Sequence, residues 1–172
     1  MKEEIMKIGI AAIGLMMTPF LLAYVSPAGA DEQKVPLKDV PKAVLLAVKA
    51  KFPDAELKEA SKETEDGKTT YEVALKDKGK AVDVALTIEG KITEIETEIA
   101  VGDLPKAVSS AITANYPRAN VKKAEQIIEF KQGTESKNYE VVLMTEAKKQ
   151  IEVKLSPDGK ILKMEDDEND KD

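Results

Sequence analysis

Carboxylates are the only side chains here that could carry acid–base or metal chemistry, because 32 Asp and Glu stand in a chain without one histidine or cysteine. Nucleophile–base pairs of the Ser–His or Cys–His kind, and metal sites built on His or Cys, are excluded by that absence. Paired carboxylates could still protonate and deprotonate a substrate, or hold a hard cation between clustered oxygens. The densest run, Asp166-Asp167-Glu168-Asn169-Asp170, invites a calcium reading but lacks the glycine and closing glutamate of an EF-hand loop. Elsewhere acids alternate with lysines, as in Glu59/Lys62 and Glu152/Lys154, which is the pattern of a solvated sheet surface. No glycine-rich phosphate loop or dinucleotide fingerprint occurs. The sequence therefore predicts no catalytic residue, no cofactor and no metal centre.

Charge and compartment narrow the partners. Net charge is −6, and Glu165 to Asp172 holds six acids against one lysine, so the remainder carries only −1. A near-neutral body with mixed lysine and glutamate has no electrostatic footprint for nucleic acid. Ile8 to Val25 is an apolar run broken only by Thr18 and Pro19, and Ala28 and Ala30 then precede Asp31 in the A-x-A pattern of a cleaved export signal. Residues 1–30 are expected to be removed after Ala30, leaving a periplasmic or secreted protein with no membrane contact. An exported chain without cysteine must hold together by packing alone.

The elements that position these groups are written twice. PKAVLLAVKAKFPDAELKEA, YEVAL and VDVALTIEGKI return as PKAVSSAITANYPRANVKKA, YEVVL and IEVKLSPDGKI. The offset is 64 from Pro41 to Pro105, 68 from Tyr71 to Tyr139 and 69 from Val82 to Ile151, so the gaps fall at turns. In each copy an acid, Asp39 or Asp103, stands where it could cap a helix, and Val40, Ala43, Val44, Ala47 and Val48 recur at helical spacing. Phe52-Pro53 and Tyr116-Pro117 stop the two helices, because the residue before proline avoids the helical region. The period then changes to two, as in Tyr71, Val73 and Leu75 or Val82, Val84 and Leu86, which predicts half-buried strands. The expected fold class is α+β, two tandem repeats, each one helix packed on a three- to four-stranded antiparallel sheet. Repeat 1 is expected over 31–100, repeat 2 over 101–165, and a disordered acidic tail over 166–172. Whether the two sheets join edge to edge is left open; joining would remove two exposed strand edges.

Differences between the copies point to a surface. Leu45 and Leu46 correspond to Ser109 and Ser110, so these leucines either face the other repeat or lie open. If Tyr139, Val141 and Leu143 face the helix, Val142 and Met144 lie on the other side of the sheet, where the first copy has Ala74 and Lys76. Phe52, Tyr71, Tyr116 and Tyr139 read as core, which leaves Phe130 as an aromatic free to anchor a partner. The predicted partner-binding residues are Phe130, Val142, Met144, Leu45, Leu46 and the hairpin Gln132-Gly133-Thr134.

The paired segments PKAVLLAVKAKFPDA, YEVAL and TIEGKI, and PKAVSSAITANYPRA, YEVVL and SPDGKI, resemble the PepSY-like domains related to beta-lactamase inhibitory protein. The resemblance spans the chain beyond the export signal, and most of the shared letters are structural. It implies a non-enzymatic exported module that binds a protein and could inhibit a secreted enzyme, a peptidase or a beta-lactamase. Two departures argue against a tight lactamase inhibitor: cysteine is absent, and the chain has three Phe, four Tyr, no Trp and one arginine, Arg118. The alternative from another class is an envelope small-ligand or divalent-cation-binding protein using strand-face carboxylates and the acidic tail.

Overall fold

Alternating strands separated by tight turns have one simple solution, pairing each with the next, and the chain takes it throughout. The computed structural model describes residues 33–65 and 67–166; the predicted export signal and the acidic residues after Asp166 lie outside them. The strands are β1 (Gln33–Val35), β2 (Glu56–Glu65), β3 (Lys68–Asp77), β4 (Lys80–Thr87), β5 (Ile92–Glu98), β6 (Asn120–Lys131), β7 (Thr134–Met144), β8 (Gln150–Leu155) and β9 (Ile161–Asp166). They form one nine-stranded sheet in sequence order, every neighbour antiparallel. Helix α1 (Lys42–Lys51) bridges β1 and β2, and α2 (Lys106–Asn115) bridges β5 and β6.

This corrects the expected fold class. The tandem duplication is present, but not as two α+β units each with a helix on its own three- or four-stranded sheet. A single antiparallel sheet dominates the molecule, with two ten-residue helices as its only α-structure among the described residues. The repeats fuse where β5 pairs with β6, from Glu94↔Glu129 to Glu98↔Glu125. Fusion satisfies the backbone groups of two edges that would otherwise stand open.

The helix starts also differ from expectation. Asp39 and Asp103 fall in short 3-10 turns, Leu37–Asp39 and Val101–Asp103, and neither α-helix has a side-chain cap. Pro41 and Pro105 take the capping position instead, where their missing N–H removes no helical bond. Both helices end before a proline, at Phe52 and Tyr116.

Both helices pack on the same side of the sheet. Val44 and Val48 of α1 close over Val73, Leu75, Val82, Val84 and Leu86. In the second repeat Val108 and Ile112 of α2 close over Tyr139, Val141, Leu143, Val153 and Leu155. On β6, Ala124 belongs to the second core while Ile128 and Phe130 pack against the first, and their even spacing puts all three on one face. The two cores interlock across the seam. Among the described residues, no helix lies over the opposite face of the sheet.

Candidate functional site

The residues of the bare face follow from register. Antiparallel partners share a face, and the residues alternating with the core positions are Asp83 and Ala85 on β4, Glu94, Glu96 and Glu98 on β5, and Lys123, Glu125, Ile127 and Glu129 on β6. Beyond them lie Asn138, Glu140, Val142 and Met144 on β7 and Gln150, Glu152 and Lys154 on β8. Acid meets acid across four neighbouring pairs: Asp83↔Glu96, Glu98↔Glu125, Glu94↔Glu129 and Glu125↔Glu140. Like charges directly opposite one another destabilise a sheet, so this stripe is an electrostatic cost concentrated where the repeats join.

Part of that stripe is neutralised by lysine. Lys154 Nζ lies 2.8 Å from Glu129 Oε1 and 3.5 Å from Glu94 Oε2. Glu129 Oε2 also accepts from Ser136 Oγ and Asn138 Nδ2, each at 3.3 Å. Burial works to raise the Glu129 carboxyl, but the Lys154 hydrogen bond and charge, with Lys131, outweigh it and hold the group below the ordinary carboxylate range.

The rest is neutralised only in part, by Lys123. Asp83, Glu96 and Glu125 bring one carboxylate oxygen each to within 4.8 Å of one another. Glu125 is 2% exposed, Lys123 Nζ reaches its Oε1 at 2.8 Å, and among the described residues its Oε2 has no hydrogen-bond partner. Burial raises Asp83 and Glu125, in both cases against the pull of Lys123. Burial, then the charges of Glu125 and Glu94, push Glu96 up to about 10. Glu140 rises to about 7, from burial and then the charges of Glu152 and Glu125.

The structure disperses the predicted partner-binding residues. Val142 and Met144 do lie on the bare face, opposite Glu152 and Gln150, yet Val142 is only 4% exposed and Met144 half-buried. Phe130 is half-buried on the helix side, packed against the first core. Leu45 also packs against that core, while Leu46 is 57% exposed on α1. Gln132 and Gly133, with φ of 51° and 80°, form the two-residue turn between β6 and β7, and Thr134 opens β7. Eight residues separate Thr134 from Val142, about 27 Å of strand. Val142 and Met144 stay together on the bare face, while Phe130 lies beside the hairpin and packs with Leu45 against the first core. The carboxylate group was not foreseen, although Thr93-Glu94-Ile95-Glu96-Thr97-Glu98 holds three acids in phase without an intervening lysine.

A duplicated antiparallel sheet with both helices on one face and a charged second face defines the class, a tandem-repeat scaffold built on one continuous sheet. The chain belongs to the family described as "Putative beta-lactamase-inhibitor-like, PepSY-like", whose profile matches residues 29–94 and 69–163. No curated protein matches the sequence. Among solved structures, it is similar to a "BLIP-like protein" from Bacteroides fragilis, at 21% identity over 80% of this chain and 92% of that one, with a TM-score of 0.59. A "putative periplasmic" protein from Bacteroides eggerthii is 15% identical over 74% of this chain and 88% of that one, at 0.62. A DUF2874 family protein from Bacteroides uniformis is 17% identical over 73% and 88%, at 0.61. At these identities the likeness is one of fold. No helix among the described residues is long and apolar enough to cross a membrane.

Proposed function

We propose that this protein is an exported, non-catalytic module that docks an extracytoplasmic protein on the bare face of its sheet and so modulates an enzyme such as a peptidase. The observation that supports this most is the one-sided packing: both α-helices cover one face of the nine-stranded sheet, and among the described residues no helix lies on the other. On that free face Met144 is a half-buried apolar side chain opposite Asn120 and Gln150, with the charged Lys123 and Glu152 opposite Val142 next along the strand, an apolar residue in polar surroundings as docking surfaces have. Family membership, the export-signal pattern in residues 1–30 and the lack of histidine and cysteine agree with the reading.

The test compares Met144→Lys with Leu46→Lys, which place a charge on opposite faces, as baits in envelope extract after circular dichroism confirms folding. Val142 is unsuitable because a lysine there would be buried. Capture of a protein by the parent and by Leu46→Lys but not by Met144→Lys supports the bare face. Capture that survives Met144→Lys, or is lost only with Leu46→Lys, contradicts it.

A further inference from the structure

Within the acidic stripe one group is short of positive charge, and it sits on the seam between the repeats. Asp83 of β4 and Glu96 of β5 are direct cross-strand partners, and Glu125 of β6 stands beside them, opposite Glu98. One oxygen from each lies within 4.8 Å of the others. Acid clusters are common on surfaces, but Glu125 is not on the surface: it is 2% exposed, and its Oε2 has no hydrogen-bond partner among the described residues. A buried carboxylate oxygen left without a donor is rare in a folded protein and calls for a ligand or a proton. Among the described residues, Asp83 and Glu96 have no lysine or arginine nitrogen within ion-pair distance, and Lys123 is committed to Glu125 Oε1. Glu129, on the same face, shows the alternative: it is met by Lys154, Ser136 and Asn138 and needs nothing more.

We infer that Asp83, Glu96 and Glu125 together bind one divalent cation of calcium's size, which staples β4, β5 and β6 across the junction of the repeats. Carboxylate oxygens are hard ligands and select calcium or magnesium over softer metals. Calcium takes several protein oxygens at about 2.3–2.6 Å in flexible geometry, whereas magnesium at about 2.0–2.1 Å demands a near-ideal octahedron and keeps most of its water. Three carboxylates converging from three strands suit calcium, the ion more permissive of geometry. Asp83 and Glu96 are half-buried rather than sealed off, so water can complete the shell from the solvent side. The ion would cancel the like-charge pairing of Asp83 with Glu96 and satisfy Glu125, and it would bind the folded chain alone, since three strands must be assembled to make the site. This inference is independent of the docking reading and uses neither Met144 nor the acidic tail.

The experiment is calorimetric titration of calcium chloride into the purified full chain at neutral pH after chelator treatment, with magnesium as comparison, followed by thermal unfolding. The expected result is one bound calcium per chain and a rise in Tm of roughly 5–10 °C at calcium a hundredfold above its Kd. Asp83→Asn and Glu96→Gln, folded by circular dichroism, should each weaken binding by at least about tenfold, while Glu56→Gln, an exposed acid on β2, should not. Absence of binding up to about 10 mM calcium overturns the inference, since even weak extracellular sites fill by then. So does calcium binding that survives both variants, which assigns it to the tail. Equal affinity for magnesium overturns the choice of ion.

Discussion

Gly90 and Gly159 occupy the same place in the two copies, in the EGK and DGK turns, and each is held there by a helix. A Cβ built on Gly90 would lie 2.5 Å from the Ala43 carbonyl oxygen, and one on Gly159 would lie 2.5 Å from that of Ala107. Both glycines have positive φ, 84° and 86°. Gly79 also has positive φ, 87°, but has open space where its Cβ would go. Gly79→Ala should therefore cost only the left-handed strain, about 1–2 kcal/mol. Gly90→Ala and Gly159→Ala add a backbone collision and should cost well beyond that, measured by urea unfolding. Equal losses at all three positions would show that helix contact is not what selects glycine. The sequence shows these residues as turn signals. Their contact with α1 and α2 is not legible there, because it links positions 47 and 52 residues apart.

At the level of elements, β5 decides the character of the molecule. Its Ile92 and Ile95 face the helices, while Glu94, Glu96 and Glu98 line the bare face. The helix and strand periods were legible in the sequence, and so were the helix stops at Phe52-Pro53 and Tyr116-Pro117. The seam was not, because like charges on Glu94/Glu129 and Glu98/Glu125 argue against pairing β5 with β6. Backbone pairing and interlocked cores override them. The consequence is a pH dependence whose sign follows from the raised carboxyls. Glu140 faces Glu125 on β6 and Glu152 and Lys154 on β8, with Lys123 nearby, and sits at about 7; Glu96 sits at about 10. Their ordinary value is 4.5, so between that value and the raised ones the folded chain holds protons the unfolded chain has lost. That contribution to stability is present at low pH and is lost as pH rises through 7 and toward 10. Glu129 acts oppositely, and its contribution is lost only on acidification below the ordinary carboxylate range. In chelator, Tm at about pH 5.5 should exceed that at about pH 8.5, and Glu140→Gln should flatten the slope around neutrality. A Tm that rises over this interval, or a slope unchanged by Glu140→Gln, would contradict the burial assigned to these groups.

For the whole molecule, duplication gives two similar halves, and fusion makes them one. Ile128 and Phe130, from the second copy, complete the first core, and Ile99, at the end of β5, packs into the second. Phe130 illustrates the limit of reading residues one at a time: it looked like a spare aromatic because its use lies in the neighbouring repeat. The continuous nine-stranded face and the carboxylate group both depend on β5 being joined to β6. Residue-resolved hydrogen–deuterium exchange tests that joint most directly. Amides of residues 94–98 and 125–129 are predicted to exchange as slowly as those of β3 and β4, through global unfolding alone. Rapid exchange confined to the seam, with the flanking strands still protected, would mean two separate sheets and would contradict the account.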